Sequence, residues 1–385
     1  MSVELSVVIP CLDEEKTIGV CVGTALKAFS EMGTTGEVLV VDNGSTDQSF
    51  KRAQEAGATV IFHDVKGYGS AIKKGIEHAK GEFIIMGDGD DTYDFSDIKK
   101  FVHLLREGAD LVMGNRLNRN LHPKAMPRLH RWVGTPILTW HLNLFFGTHF
   151  SDINCGLRGF RKSAIDKLSL KCGGMEFASE MLVKARQKKL LMKETSISYR
   201  PASYDRNSHL HSFRDGWRHL RFMLVFCPKY LFLFPGITLF LIGLFLTLLL
   251  HFKTVFVFGM PLGISSATLV SALLFMGLQI ALFGVYSIVL NHSRGLMEED
   301  GITHFFKKHF TLERGLLTGT IFSFAGATMF AWTMIRIFNV ANNLPYVDVP
   351  LARFAIMSIF IALLGLQIIF SSFYLSLFNL TETLK

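Results

Sequence analysis

Cysteine is scarce in this 385-residue chain and forms no pattern: Cys11, Cys21, Cys155, Cys172 and Cys227 are odd in number and include no C-x-x-C pair. That spacing excludes a disulfide framework and a zinc site, and leaves free thiols in a reducing compartment. No cleavable leader is expected either. The first apolar run, LSVVIP, is too short for the core of a signal peptide and is followed at once by Asp13, Glu14 and Glu15. The N-terminal part is therefore expected to stay in the cytosol. Although the formal net charge is +8, no nucleic-acid recognition motif accompanies it, and no nucleic-acid partner is expected.

Apolar residues make up 49% of the chain, but unevenly. Residues 1–210 have the composition of an ordinary charged globular domain, whereas the remainder is rich in Leu and Phe. Stretches 231–251, 264–290, 316–338 and 354–378 each approach or exceed the ~20 apolar residues a helix needs to cross the hydrocarbon core. The connection 291–315 holds Arg294, Lys307, Lys308 and Arg314, against only Lys253 and Arg353 in the other two. The positive-inside rule then puts that connection, and both termini, in the cytosol. Few ionisable groups lie within the spans, so they read as an anchor and a possible homo-oligomer interface rather than an ion pathway. Ahead of them, Arg200, Arg206, Arg214, Arg218, Arg221 and Lys229 face only Asp205 and Asp215. Trp217, Phe222 and Phe226 are interleaved with these charges, which suits a segment lying on anionic headgroups; a solvated basic linker is the alternative. The expected organisation is a cytosolic domain 1–210, a basic juxtamembrane segment 211–230 and a transmembrane domain 231–385.

Within the first domain, LSVVIP, EVLVVD, ATVIF, EFIIMGD and ADLVMG alternate with helical stretches 14–29, 46–56, 69–79 and 96–107. That order predicts βαβ units and a mostly parallel sheet. Ligands of such sheets bind beyond the carboxyl ends of the strands. Three acidic clusters fall there: Asp13 and Glu14, Asp42, and the pair Asp88 and Asp90. Two carboxylates one residue apart at a strand mouth suit a hard divalent cation, Mg2+ or Mn2+, held against a diphosphate. The alternative is that Asp90 and Asp91 cap a helix beginning near Asp94 to Ser96.

Taken in order, VVIPCLDEEKTI, VVDNGSTD, KGYGSAIKKGI, GDGDDTYD, DINCGLRGF and MEFASEM resemble the family-two, GT-A-fold inverting glycosyltransferases. They are most similar to the branch that includes dolichyl-phosphate mannose synthase and bacterial polyprenyl-phosphate hexose synthases. The resemblance covers residues 3 to 210 and implies a nucleotide-binding GT-A domain followed by a helical membrane domain. It implies transfer of one hexose from a UDP- or GDP-sugar to a polyprenyl phosphate at the cytosolic membrane face.

The same resemblance implies residue roles. Pro10, Asp13, Glu14 and Asp42 match positions that receive the nucleotide base and ribose, with Asp88 beside them; Asp42 in DNGS is also a turn former. Leu12 and Asp13 depart from the usual aromatic and Asn. Asp88 and Asp90 match the metal motif. Arg116, Arg131, Arg158 and Arg206 are candidates to hold an acceptor phosphate, for which the guanidinium fork is suited. Asp152, together with Arg116 and Arg131, is the candidate for catalysis or acceptor alignment; a surface turn is the alternative for Asp152.

Residues 132–147, WVGTPILTWHLNLFFG, are apolar but too short to span. They read as an interfacial helix, with a buried core helix as the alternative. Two other functions compete. A processive polysaccharide synthase would carry a Q-x-x-R-W element, and Arg131–Trp132 lacks the Gln. A non-catalytic nucleotide-sugar scaffold or lipid-carrier translocator would not need the acidic pair.

Overall fold

A computed structural model of the chain describes residues 3–117, 121–122, 125–201, 212–253, 255–293, 301–341 and 349–383. The chain divides into two compact units, Met1–Met223 and Leu224–Lys385.

The first unit is built on a seven-stranded sheet in the order β3-β2-β1-β4-β6-β5-β7. The strands are β1 (Leu5–Cys11), β2 (Gly36–Asp42), β3 (Thr59–Phe62), β4 (Phe83–Met86), β5 (Leu111–Asn115), β6 (Arg158–Arg161) and β7 (Met192–Ser196). Helices α1 (Ile18–Met32), α2 (Ser49–Glu55), α3 (Tyr68–His78) and α4 (Ile98–Arg106) connect the first five strands. All pairings are parallel except those of β6, which runs antiparallel to both β4 and β5. Central strands carry unbroken apolar runs because both faces are covered: Phe83, Ile84, Ile85 and Met86 of β4 are all buried. Helix α4 buries Ile98, Phe101, Val102 and Leu105, one stripe at helical spacing. The five apolar runs of the sequence become β1 to β5. Strands β6 and β7, RGFR and MKETS, have no such run to announce them.

After β5 come α5 (Thr135–Phe146), entered through a π-helical turn His130–Gly134, then α6 (Lys162–Asp166), α7 (Phe177–Gln187) and α8 (Ser212–Val225). His219 of α8 is buried, its Nδ1 2.8 Å from Ser179 Oγ of α7.

The second unit is helical: α9 (Phe234–Phe252), α10 (Ile264–Ser293), α11 (Gly301–His309), α12 (Leu312–Ala341) and α13 (Val349–Thr383). Four stretches are long and apolar enough to cross a membrane: Lys229–Phe252, Ile264–Ser293, Leu312–Asn339 and Val349–Leu377. They coincide with the four expected spans. Small residues let the helices close up, as apolar lipid supplies no hydrophobic force between them. A Cβ on Gly277 of α10 would lie 2.3 Å from Phe240 N of α9, and one on Gly326 of α12 would lie 2.3 Å from Ala362 N of α13. Polar contacts add direction: Gln279 Nε2 donates to Gln367 Oε1 at 3.1 Å, and the Tyr286 and Ser371 hydroxyls meet at 2.6 Å.

Candidate active site

Because β2, β1 and β4 are adjacent and parallel, the loops that follow them open on one edge of the sheet. Asp42 ends β2 directly opposite Cys11, the last residue of β1. Strand β5 points the same way, and the reversed strand β6 brings its first residue, Arg158, to that edge beside Met86 and Met113. Topology thus gathers segments 10–14, 42–49, 87–94, 115–117 and 151–158 at one crevice.

The first two loops are tied to each other. Asp13 takes φ 56°, a left-handed conformation that Asp tolerates better than most residues. Its Oδ1 accepts from Thr46 N at 2.7 Å, and its own N–H donates to Ser45 Oγ at 3.1 Å. Glu14 is buried, its N–H donating to Ser49 Oγ at 2.7 Å while its Oε2 accepts from Thr17 Oγ1 at 3.2 Å. Asp42 Oδ1 accepts from Ser45 N at 3.0 Å, so the turn-forming reading of DNGS holds, and the same turn sets the carboxylate at the crevice. Pro10, the penultimate residue of β1, is half-buried.

In the acidic loop each carboxylate of the pair is oriented by a protein donor. Tyr68 Oη donates to Asp88 Oδ1 at 2.9 Å; Thr92 donates to Asp90 Oδ1 through its N–H at 3.1 Å and its hydroxyl at 2.5 Å. The helix following is capped by Asp94, which accepts from Ser96 N at 3.0 Å, so capping does not account for Asp90. Asp91 stands at φ 59°. Gly156 completes the wall, since a Cβ there would lie 2.7 Å from Asp88 Oδ2. Among the described residues no cluster of three or more His, Cys, Asp or Glu side chains forms. Two carboxylates fit Mg2+ or Mn2+, which takes one or two protein carboxylates and fills the rest of its shell with water and substrate phosphate.

Tyr68 was not singled out from the sequence. Its loop is clamped by Asn43, whose Nδ2 donates to His63 O at 3.0 Å and Val65 O at 2.9 Å and whose Oδ1 accepts from Gly67 N at 2.8 Å. On the other side Ser70 N donates to Gly173 O at 2.9 Å. The segment bearing Gly173 is in turn held by Glu180, which accepts from Lys171 N and Cys172 N and pairs with Lys184 Nζ at 2.8 Å. Burial pushes the Tyr68 hydroxyl far above its ordinary range, and the neighbouring Asp88 charge adds to this. Tyr68 therefore remains a proton donor.

On the other flank Asp152 is fully buried and grips Arg116 two ways, with Nε to Oδ2 at 2.7 Å and Nη2 to Oδ1 at 2.9 Å. Burial alone would lower the Arg116 pKa, but the Asp152 charge reverses this and raises it well above the ordinary value. Arg116 also lies 5.3 Å from the Tyr199 ring centroid. Tyr199 packs on Tyr93, whose Oη accepts from Gly156 N at 2.7 Å. Arg158 is fully buried, donating to the carbonyls of Cys155 at 2.9 Å, Ala178 at 2.5 Å and Ile153 at 2.9 Å. The structure thus brings Arg116 and Asp152 together and turns Arg158 into the backbone beneath them. Asn154 Oδ1 is buried with no hydrogen-bond partner among the described residues. Arg206 lies outside the described residues.

Arg131 sits half-buried in the π-helical turn, its guanidinium 5.3 Å from the Trp132 ring centroid. The helix it leads into has two faces. Thr135 Oγ1 accepts from Asn154 Nδ2 and Thr139 Oγ1 from Ile153 N, both at 3.4 Å, while Asn143 exchanges hydrogen bonds with Phe150. These positions, four apart, clasp the loop that carries Asp152. The opposite face, continued back through the π-helical turn, exposes Leu129, Trp132 (70%) and Val133 ahead of α5 and Ile137, Trp140 (59%) and Leu144 on it.

Residues 6–169 match the family described as glycosyl transferase family 2, and residues 285–379 match the glycosyltransferase family 2 C-terminal transmembrane region. Over 378 residues the chain is 40% identical to the low-salt glycan biosynthesis hexosyltransferase Agl6 of Haloferax volcanii, spanning 96% of this chain and 88% of that protein. It is 28% identical over 199 residues to a dolichyl-phosphate hexose transferase of the same organism, spanning 51% of this chain and 83% of that protein. It is also similar to the crystal structure of glucosyl-3-phosphoglycerate synthase from Mycobacterium tuberculosis with Mg2+ and uridine diphosphate, at 21% identity and TM-score 0.47 over 58% of this chain and 79% of that one. The chain belongs to glycosyltransferase family 2: a GT-A-type α/β domain followed by a multi-pass membrane domain.

Proposed function

We propose that this family-two glycosyltransferase moves a single hexose from a nucleoside diphosphate sugar to a polyprenyl phosphate at the cytosolic face of the membrane, with inversion at the sugar carbon. The observation that carries the lipid acceptor is the two-faced helix α5. Its inner face clasps the Asp152 loop, and its outer face presents two exposed tryptophans with aliphatic neighbours, the composition of a helix seated at a membrane interface. Lipid binding on one side of α5 and acceptor alignment on the other would then be one event. Two relatives, one named a hexosyltransferase and one a dolichyl-phosphate hexose transferase, accord with the hexose and the lipid phosphate.

Asp13, Glu14 and Asp42, with Pro10, receive the nucleoside. Asp88 and Asp90 would hold Mg2+ or Mn2+, which when bound would supply positive charge to the diphosphate. The acceptor needs no general base, because the second pKa of a phosphate monoester, ~6, leaves it ionised at neutral pH. An Asp152 already gripped by Arg116 suits that chemistry: the pair aligns and supplies positive charge rather than removing a proton. Arg131, at the mouth of α5, meets the lipid phosphate first. Arg158 supports the site by fixing the carbonyls of the Asp152 loop, and Arg206 is an additional acceptor candidate.

The test is to incubate purified protein with polyprenyl phosphate, Mg2+ or Mn2+ and a panel of UDP- and GDP-sugars. A metal-dependent lipid carrying one hexose, found by mass spectrometry, is the expected product. An elongating water-soluble glycan would instead identify a processive synthase, and nucleotide binding without any product would identify a scaffold.

A further inference from the structure

Where α9 ends and α10 and α13 begin, one arginine joins three helices. Arg353, in the second turn of α13, donates through Nη1 to Leu250 O and through Nη2 to Leu262 O, both at 2.5 Å. Leu250 is in the last turn of α9, where carbonyls have no intrahelical partner, and Leu262 O precedes α10. Two edges of the guanidinium are thereby used. The third is not: Arg353 Nε is buried without a hydrogen-bond partner among the described residues, and so is Thr247 Oγ1. Both residues line a single cavity of about 20 Å³, together with His251, Ser271, Ala267 and Met357. Among the described residues no carboxylate pairs with Arg353. A guanidinium in an apolar helical unit needs an anion or an acceptor, and here the residues of two unpartnered polar atoms line, with an imidazole, one cavity large enough for a single oxygen atom.

We infer that this cavity is a binding site for a phosphate oxyanion, which inserts one oxygen between Arg353 Nε and Thr247 Oγ1 and keeps the rest of its group beside the exposed His251. The source is the headgroup of an anionic phospholipid or free phosphate, and the site is separate from the residues assigned above to sugar transfer.

The full chain is to be delipidated in detergent and titrated by native mass spectrometry with phosphatidylglycerol, diacylglycerol and inorganic phosphate. Wild type is expected to hold one phosphatidylglycerol about tenfold more tightly than diacylglycerol, which lacks the phosphate, a charge-assisted difference. That preference is expected to vanish in Arg353→Gln and to fall severalfold in Thr247→Val, which leaves the stapling of the helices intact should Arg353→Gln not fold. Competition by inorganic phosphate would identify free phosphate as the ligand; its failure to compete would identify the lipid. Equal phosphatidylglycerol affinity in wild type and both variants, or density for a lone water bridging Nε and Oγ1 with no anion bound, would overturn the inference.

Discussion

Asp152 Oδ2 accepts from Arg116 Nε at 2.7 Å with the carboxylate wholly buried, so each charge of this pair is compensated by the other. Removing one partner of a buried pair typically costs ~3–5 kcal/mol, because the other charge is left uncompensated. Asp152→Asn is therefore expected to lower both the thermal midpoint and kcat. The pH profile separates alignment from base catalysis. If the pair only aligns, the acid limb of kcat/KM persists in Asp152→Asn, since the acceptor phosphate sets it near its own pKa of ~6. Loss of that limb would make Asp152 a base.

Tyr68 and Asp90 test the metal assignment from two directions. Asp90→Ala is expected to abolish turnover with little change in stability. Tyr68→Phe removes only the donor to Asp88 Oδ1; partners of this kind tune metal affinity by ~10-fold or more. Mn2+ binding followed by electron paramagnetic resonance, independent of turnover, should show weakening in both. Unchanged binding in Asp90→Ala would remove it as a ligand.

The outer face of α5 is expected to act on the acceptor and not on the donor. Trp132→Ser and Trp140→Ser should raise KM for a long-chain polyprenyl phosphate and leave KM for a short, water-soluble analogue unchanged. Arg131→Ala should raise both acceptor constants. Equal effects of the Trp variants on long and short acceptors would point to a structural role for the stripe.

Glu180 links pH to the loop under Tyr68. Burial raises its carboxyl, yet the Lys184 ammonium and the N–H groups of Cys172 and Lys171 outweigh this and leave it below its ordinary value of 4.5. A group that binds protons less readily when folded stabilises fully above that value and loses its contribution as pH falls through the lower folded value. Hydrogen exchange of residues 169–174, corrected for intrinsic rate, should thus accelerate below pH ~4.5 in wild type. In Glu180→Gln it should be fast already and lack that dependence; identical profiles would show that the carboxylate does not hold the loop.

The sheet was legible where strands are buried on both faces, since LSVVIP, EVLVVD and EFIIM then leave little room for polar residues. It was not legible at β6 and β7, where charged residues sit in strands that neighbouring pairings dictate. Candidate acids could be named because they follow apolar runs, and spans because bilayer thickness fixes their length. Side-chain direction could not: Arg116 and Arg158 look alike in sequence, yet one grips a carboxylate and the other is consumed by three carbonyls. Tyr68 and Tyr199 went unremarked because each acts on a partner distant along the chain, Asp88 and Tyr93, so nothing local marks it.

The sequence by itself determined an α/β domain, four spans and an acidic loop, because periodicity, run length and residue chemistry are local properties. Only the tertiary structure decided that Tyr68 meets Asp88, that Asp152 is closed by Arg116, and that α5 clasps one loop while baring its tryptophans. Those outcomes depend on strand order and register, which are fixed when distant segments bury their apolar faces together.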